Sequence, residues 1–281
     1  MAFKYIPIKK YFIQALIYLQ LIAVAIIVIY PVLWVVGTAF NPVNSISRAS
    51  IIPENATLDN FRRLFETTNF ADWYRNTLYM ASMTALFAIL LNTTTAFVFA
   101  RFRFRGRKAG LLTVMILQAF PSFMGLIALY MIALNFGLLN NHNMLVLVYV
   151  GGSIPGSIWL VRGNMLNLPK SLDEAAYIDG ATKLQVFWRI TLPLSKPIVA
   201  FIGLQAFMAP WMDFMLPRML INRNAYLNIG VGLFDMINDH RVMFTTFTAG
   251  ALLVAVPIAL LFLFSQRYLI EGVASGANKG E

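Results

Sequence analysis

Side chains that can do chemistry are few in this sequence, and they are not clustered. The two histidines, His142 and His240, lie in different predicted loops, and the chain has no cysteine. Because no group of His, Cys, Asp or Glu has ligand spacing, neither a metal centre nor any other cofactor is expected in this chain. No GxxxxGK[ST] motif and no clustered nucleophile and base occur, so the chain is not expected to be an enzyme.

Two acidic sites stand beside long apolar runs. Asp213 follows Pro210 by three residues, and an acid within a membrane-spanning stretch is by default a functional group or an ion-pair partner. If the stretch ends before Asp213, the residue is interfacial, and both interpretations stay open. The other site is the polar stretch SLDEAAYIDGATKLQVFWRITLPLSKP at 171–197.

The elements that must position these residues are apolar helices. Hydrophobic residues make up 59% of the 281 residues, and a spanning helix needs roughly 20 of them in a row. The sequence predicts an all-α membrane protein with one transmembrane domain, 1–281. Glycine and proline in GGSIPG (151–156) predict a kinked or opened helix, with close helix packing as the alternative. The six predicted spans lie at about 14–38, 76–100, 110–134, 144–162, 197–220 and 243–266.

Lysine and arginine predict the orientation. With the N-terminus inside, the inner segments hold 15 of the 22 basic residues, which places both termini in the cytoplasm. Lipid phosphates then explain the run RFRFRGRK (101–108), and nucleic acid is not an expected partner. In the outer segment 41–75, Thr57 predicts the N-cap of an amphipathic helix, either at the membrane interface or as a solvated connector. The cytoplasmic tail is 267–281.

The inner polar segment (163–196) carries strong local signals. Ser171 and Glu174 have the spacing of a capping box, which predicts a helix over 172–179. Gly180 is suited to end that helix in a left-handed conformation. A slim helix of this kind fits a groove on a soluble partner, and a loop lying on the membrane is the alternative.

A second helix is predicted directly after the first. Thr182 and Gln185 repeat the capping-box spacing, Pro193 is expected to end the helix, and Pro197 suits the first turn of the next span. The residues expected on one side of this helix are Leu184, Phe187 and Ile190.

The spacing of this segment resembles a known motif. Glu174-Ala175-Ala176, three residues, Gly180, nine residues, Ile190, one residue and Leu192-Pro193 match in full the EAA motif of permease subunits of bacterial ABC importers. The resemblance extends over essentially the whole chain and is greatest to the smaller permease of maltose/maltodextrin-type importers. Members commonly have Asn-Glu where this chain has Met212-Asp213. The other similar stretches are TLDNFRRLF (57–65), FVFARFRFRGRK (97–108), WMDFMLPRML (211–220) and GVASGANKG (272–280).

This resemblance implies a type I ABC importer permease with six spans in the bacterial plasma (inner) membrane. Its implied partners are a second permease in a heterodimer, ATP-binding subunits that hold ATP and Mg²⁺, an external sugar-binding protein and membrane lipid. The inner polar segment would be the coupling helix: Glu174 would stabilise it, Ala175 and Ala176 would fit the ATPase cleft, and Tyr177 would pack there. The docking residues so implied are Ser171, Leu172, Asp173, Glu174, Ala175, Ala176, Tyr177, Asp179, Gly180 and Ala181.

The resemblance also implies roles outside the coupling helix. The outer polar segment (221–242) corresponds to a loop that enters the binding protein's sugar cleft, where glycine would give backbone freedom, and the tail 272–280 corresponds to a part that reaches the ATPase. The implied loop residues are Asn228, Gly230, Gly232 and Phe234. Carbohydrate sites combine aromatic faces with hydrogen-bonding groups, which makes pathway candidates of Asn92, Gln118, Tyr130, Gln205, Trp211 and Asp213, each with structural packing as the commoner role.

Two other functions fit parts of the sequence. An ABC permease for another solute, such as glycerol phosphate, would carry the same EAA motif, because that motif faces the motor and not the cargo. A free-standing secondary transporter would need its own coupling-ion site, yet the six predicted spans offer one acidic residue and no internal repeat.

Overall fold

The computed structural model describes residues 8–43, 51–119, 122–238 and 244–277, and within these ranges it contains helices and connecting turns but no β-strand. Single-turn elements lie between several helices: 3₁₀ turns at Ser122–Gly125 and Asn224–Tyr226 and a π-helical turn at Phe187–Thr191. The α-helices are α1 Ile8–Ala39, α2 Asp59–Thr67, α3 Phe70–Arg101, α4 Arg107–Ala119, α5 Leu126–Asn135, α6 His142–Leu166, α7 Lys170–Ile178, α8 Lys183–Val186, α9 Leu192–Leu194, α10 Lys196–Met212, α11 Met215–Leu220, α12 Ile229–Asn238 and α13 Phe244–Ala277.

Within the described residues, four single helices are long and apolar enough to cross a membrane, against six predicted spans. The long apolar helices are Tyr11–Ala39, Phe70–Arg101, His142–Leu166 and Phe244–Tyr268. Two bent helix pairs bring the number to six if each is one span: Arg107–Ala119 with Phe123–Asn135, at 85°, and Lys183–Leu194 with Lys196–Met212, at 83°.

The fifth predicted span, 197–220, is wrong at its outer end. Helix α10 stops at Met212, Asp213 takes an extended backbone conformation, and the separate short helix α11 follows. The Asp213 carboxylate accepts a hydrogen bond from the Leu216 amide, so this residue starts α11 instead of continuing α10. The third predicted span, 110–134, is divided at the 3₁₀ turn, and residues 120 and 121 lie outside the described residues.

The expected opening of the GGSIPG stretch is also wrong. Helix α6 runs unbroken through Pro155. The alternative, close packing through glycine, does not hold for Gly151 and Gly152, because a Cβ at either position would meet no atom within 4 Å. The small residues therefore leave space beside a continuous helix.

The chain divides into two compact units, the first comprising Met1–Thr68 with Met236–Leu253 and the second Asn69–Asp235 with Val254–Glu281. In the first unit, the Thr57 hydroxyl accepts from the Asp59 amide, although Leu58 occupies the N-cap position of α2. The buried Asn60 side chain donates to two backbone carbonyls, those of Ala39 and Asn41, and accepts from the Thr245 hydroxyl. Helix α2 is thus fixed by a satisfied polar side chain within its own unit.

The second unit is built on α3, α6 and α10, which pack side by side. At one end of these helices, apolar side chains from α3, α6, α10 and the inner polar segment form one buried cluster. The cluster gives the inner polar segment a rigid base. Its buried members are Ala96, Phe97, Ala100, Val161, Met165, Val186, Phe187 and Ile202.

Candidate functional site

The start of α7 differs from the predicted capping box. The helix begins at Lys170 directly after Pro169, and no side chain caps it. Proline favours a helix start because its φ is already near the helical value. Ser171 therefore lies inside the first turn, where its hydroxyl no longer occupies the cap position, and the Ser171–Glu174 box does not form.

The end of α7 agrees with the prediction. Gly180 has a φ of +83°, in the left-handed region. Its amide donates to the Tyr177 carbonyl at 3.1 Å, and the Ala181 amide donates to the Ala176 carbonyl at 2.9 Å. These two bonds form a Schellman motif, which turns the chain sharply out of the helix.

The second capping box is confirmed as well. The Thr182 amide donates to the Gln185 side chain at 2.7 Å, and the Gln185 amide donates to the Thr182 hydroxyl at 3.3 Å. The expected end at Pro193 is wrong, since helical structure continues through a π-helical turn to Leu194 before the chain bends. Proline is tolerated there because only Leu194 follows it before the bend, so its missing amide interrupts the helix only at its end.

The expected apolar side of this second helix forms only in part. Phe187 is buried in the cluster, whereas Leu184 is 66% exposed and Ile190 is half-buried. The π-helical turn shifts the positions of residues relative to an ordinary helical face, so spacing alone does not place all three together.

A buried ion pair ties α7 to the end of α3. Arg101 Nε lies 2.7 Å from Asp173 Oδ2, and only 6% and 8% of the two side chains is exposed. The Arg101 guanidinium also donates to the Leu168 carbonyl at 3.3 Å. Burial raises the pKa of Asp173, while the positive charge of Arg101 opposes that rise. Removing one partner from such a pair leaves an uncompensated buried charge, at a cost of about 3–5 kcal/mol.

Sequence reasoning missed this pair. Asp173 stands in the first turn of a predicted helix and Arg101 stands in a basic run, so each has a sufficient local explanation. The two residues are 72 positions apart in the sequence, and they meet only because α3 and α6 pack together. A partial signal is that Arg101 is the last residue of α3 and its first charged residue after Arg75.

The implied docking residues divide between two sides of α7. Asp173 and Ala176 face the second unit's own core, and Ala181 packs against the same cluster. The opposite side is open: 42% of Leu172, 42% of Tyr177 and 87% of Ile178 is exposed. The other exposed members are Ser171, Glu174, Ala175, Asp179 and Gly180.

A cavity of about 990 Å³ lies between α4, α5, α6, α10 and α11, with one residue of α3 in its wall. Three pathway candidates line it, namely Gln118, Gln205 and Asp213. Among the described lining residues, only Asp213 is charged. The space left open by the small residues of α6 belongs to this cavity, because Gly152 and Gly156 line it.

Two lining residues were missed by sequence reasoning. The Tyr149 hydroxyl donates to Asp213 Oδ2 at 3.0 Å, and Ser153 also faces the cavity. A signal was present, since 149, 152, 153 and 156 have the spacing of one face of a helix. The wall therefore offers hydroxyl, amide and carboxylate groups on an otherwise apolar surface, the composition of a site for a neutral polar ligand.

The other pathway candidates do not line the cavity. Asn92 is buried beside it and donates to Ser153 Oγ at 3.1 Å, so it supports the wall. Tyr130 is half-buried elsewhere on α5. Trp211 is 4% exposed and packs against two aromatic rings, those of Tyr74 at 5.5 Å and Phe207 at 6.0 Å.

Part of the outer polar segment is locked into the fold. Asn228 is fully buried, and its side chain donates to the carbonyls of Pro210 at 3.0 Å and Asp213 at 2.7 Å. The Asn228 side chain also accepts a hydrogen bond from the Val231 amide in the first turn of α12. Phe234 is 48% exposed and packs on Phe214 with 4.5 Å between ring centroids.

The expected backbone freedom of Gly230 and Gly232 is wrong. Both lie in α12, and neither has a positive φ. A Cβ at Gly232 would lie 2.2 Å from Trp73 Cε3, and one at Gly230 would lie 3.1 Å from the Asp213 carbonyl oxygen. Glycine is required here for close approach. Residues 239–242, including His240, and 278–280 of the tail lie outside the described residues.

Comparison with known proteins gives a consistent result. The family model for the "Binding-protein-dependent transport system inner membrane component" matches residues 92–275. The galactooligosaccharides transport system permease protein GanQ of Bacillus subtilis (strain 168) is 39% identical over 277 residues, covering 97% of this chain and 98% of GanQ. The maltodextrin transport system permease protein MdxG of the same strain is 39% identical over 264 residues, covering 94% and 95%.

A solved structure shows the same fold. It is the crystal structure of a bacterial ABC transporter involved in the import of the acidic polysaccharide alginate, and it matches with a TM-score of 0.81 at 19% identity. The match covers 95% of this chain and 99% of that chain. Together with the family match over 92–275, it follows that this chain belongs to the family of inner membrane components of binding-protein-dependent transport systems.

Proposed function

We propose that this chain is a permease subunit of an ATP-driven importer for neutral oligosaccharides of the maltodextrin or galactooligosaccharide kind. It works in the bacterial inner membrane with a second permease, separate ATP-binding subunits and an external sugar-binding protein. Two of the relatives are named as permeases for these sugars, and their similarity extends over nearly the whole chain.

The observation that carries the proposal is the construction of α7. Its inner side is held to the transmembrane helices by Arg101 and Asp173, while its outer side leaves apolar groups exposed, above all Ile178. Exposed apolar side chains outside the membrane do not stabilise a permease on its own. They would be buried if this side of α7 entered a groove on a soluble subunit.

The anchoring supplies a route for mechanical coupling. When the ATP-binding subunits, which hold ATP and Mg²⁺, move the outer side of α7, the buried ion pair passes the displacement to the end of α3. Helix α3 packs along α6 and α10, and these helices line the cavity. A rigid connection of this kind transmits small shifts because packed interiors are not freely deformable.

The cavity fits the proposed cargo. Gln118, Gln205 and the Tyr149–Asp213 pair offer donors and acceptors for sugar hydroxyl groups, and none of the described residues that line the wall is basic. The orientation follows from charge: with α7 in the cytoplasm, both termini are cytoplasmic, and the outer polar segment faces the binding protein.

The test is affinity purification of this chain from gently solubilised native membranes, followed by mass spectrometry of the proteins that remain bound. We expect a P-loop ATPase and a second EAA-bearing permease. The control is the Ile178→Asp variant, which should keep the second permease and lose most of the ATPase, because a buried apolar contact is replaced by a charge. A single-chain species that transports sugar without an ATPase would overturn the proposal.

The cargo is tested separately. The purified complex, in liposomes with its binding protein, should show ATPase stimulation by maltodextrins or galactooligosaccharides. Stimulation by glycerol phosphate or peptides alone would keep the permease assignment and reject the oligosaccharide cargo.

A further inference from the structure

A second cavity, of about 530 Å³, lies as a groove along α10 between α3 and the later part of α13. Along α10 the lining positions are 196, 199, 200, 203, 204 and 207, the spacing of one continuous helical face. The walls are apolar for most of the length, with Ile89 on one side, Leu261 on the other and Phe207 at the far end. These side chains are half-buried, so the groove is concave.

Polar groups collect at one end of the groove. Lys196, Ser265 and Tyr268 line this end, and the neighbouring Arg267 donates to the Tyr268 hydroxyl at 2.6 Å. No ion pair joins Lys196 or Arg267 to a carboxylate whose side chain the structure describes. Lys196 lines the groove, Arg267 lies beside Tyr268, and neither cation has a described counter-charge.

Lys196 also lies at a point in the fold where a positive charge is unfavourable. Lys196 is the first residue of α10, and the first turn of this helix contains no acidic residue. The helix dipole places partial positive charge at the same point, where a cation is disfavoured and an anion is stabilised. The end of the groove is therefore strongly suited to a negatively charged group.

The groove has the length of one membrane leaflet. From Lys196 to Phe207 there are eleven helical steps, or about 16 Å. Half of a bilayer's hydrocarbon core is about 15 Å thick. An acyl chain with its headgroup at Lys196 would reach the Phe207 end near the middle of the bilayer.

We propose that this groove is a binding site for an anionic phospholipid of the cytoplasmic leaflet. The lipid phosphate lies between Lys196 and Arg267, the Tyr268 hydroxyl faces the headgroup, and one acyl chain runs along Ile89 and Leu261. Basic pockets between transmembrane helices at the cytoplasmic surface bind anionic headgroups by the same physics. The assignment to this leaflet rests on the orientation given under the proposed function; the binding chemistry does not.

The test uses the complete transporter, purified through a tag on this chain and titrated in mixed micelles with phosphatidylglycerol or phosphatidylcholine. Native mass spectrometry counts the retained lipids. We expect retention of phosphatidylglycerol over phosphatidylcholine, weakened about fivefold by each of Lys196→Gln and Arg267→Gln. The matched control for the Lys196→Gln/Arg267→Gln double variant is Arg103→Gln with Arg105→Gln, which removes the same two charges from exposed positions and should retain lipid like the parent.

A second variant tests the apolar part of the groove. Ala200→Leu adds bulk at a lining position and should reduce retention while leaving the preference for phosphatidylglycerol over phosphatidylcholine unchanged. Equal retention of both lipids by the parent, or an unchanged preference in the Lys196→Gln/Arg267→Gln double variant, would overturn the proposal. So would cross-linking of Ala200→Cys to the second permease, which would show that a protein chain fills the groove. Since lipid retention requires neither transport nor a particular cargo, its failure is distinct from failure of the proposed function.

Discussion

The two polar segments at opposite ends of the second unit are built in contrasting ways. In the inner polar segment, Gly180 has a φ of +83° and open space around it, and Ile178 beside it is exposed. In the outer polar segment, Gly232 has ordinary helical geometry, and the Trp73 ring lies where its Cβ would be. The first segment leaves an apolar surface exposed, whereas the part of the second around Gly232 is an internal packing element.

Glycine is needed at Gly180 for its backbone conformation and at Gly232 for its small size. At Gly180 there is room for a side chain, but the positive φ disfavours any residue with a Cβ. At Gly232 the backbone conformation would accept a side chain, but the Trp73 ring occupies the space that it needs. Substitutions at the two positions should therefore damage different properties, namely coupling at Gly180 and folding at Gly232.

The largest effect is expected at Gly232. Gly232→Ala would place Cβ against the Trp73 ring, where nothing short of moving the helix or the ring gives it room, and we expect a loss of about 3 kcal/mol or more in stability. The measurement is the thermal unfolding midpoint and the yield of the purified protein. Gly163→Ala is the matched control, because a Cβ there meets no atom within 4 Å. Equal yields and midpoints would show that the contact with Trp73 is not tight.

A smaller but still large effect is expected at the buried ion pair. Arg101→Met leaves the Asp173 carboxylate buried and unpaired, which should destabilise the protein by about 3–5 kcal/mol, and Asp173→Leu should do the same to Arg101. The double variant Arg101→Met/Asp173→Leu should recover most of that loss, as the thermal midpoint would report.

The same variants separate anchoring from stability. In the double variant, α7 is no longer held by a charge pair, so stimulation of the ATPase by the binding protein should fall even where stability recovers. If stimulation returns together with stability, the ion pair has no role in coupling and serves folding alone.

The next effect is expected at Gly180. Gly180→Ala introduces a side chain at a left-handed position, at a cost of about 1–2 kcal/mol. Gly106 provides a close control, since its φ is +89° and its surroundings are equally open. Gly106→Ala should cost as much stability, yet only Gly180→Ala should reduce stimulated ATPase activity in the assembled transporter. Equal losses of activity would remove the special role of the α7 exit.

The sequence predicted what depends on local chemistry. The helical class, the left-handed Gly180 and the Thr182–Gln185 capping box all follow from nearby residues. The interactions that decide these features join residues only a few positions apart, so periodicity and capping rules are sufficient to predict them.

The sequence could not predict what depends on distant partners. Ser171 satisfied the capping pattern, but Pro169 began the helix first. Asp173 is implied by the resemblance as a docking residue, but α3 brings Arg101 to it and the pair is buried. Gly232 was expected to give backbone freedom, because nothing in its own segment indicates a close contact with Trp73, more than 150 positions earlier. At Asp173 and Gly232 a tertiary contact decided the outcome, whereas at Ser171 a competing local signal, Pro169, did so.

The smallest effect on stability, and the most direct test of the central claim, is expected at the exposed end of α7. Ile178→Cys should change stability by less than about 0.5 kcal/mol, because the side chain is on the surface. This chain has no other cysteine, so a bifunctional thiol-to-amine reagent can attach to this chain through its thiol group only at this position. Tyr226→Cys, 41% exposed in the outer polar segment, is the matched control.

Cross-linking is done in native membranes, and the products are identified by mass spectrometry. We predict that Ile178→Cys joins this chain to a P-loop ATPase and that Tyr226→Cys does not. A membrane holding the assembled transporter in which Ile178→Cys yields no ATPase product, or in which both positions yield it equally, would contradict the assignment of α7 as the coupling element.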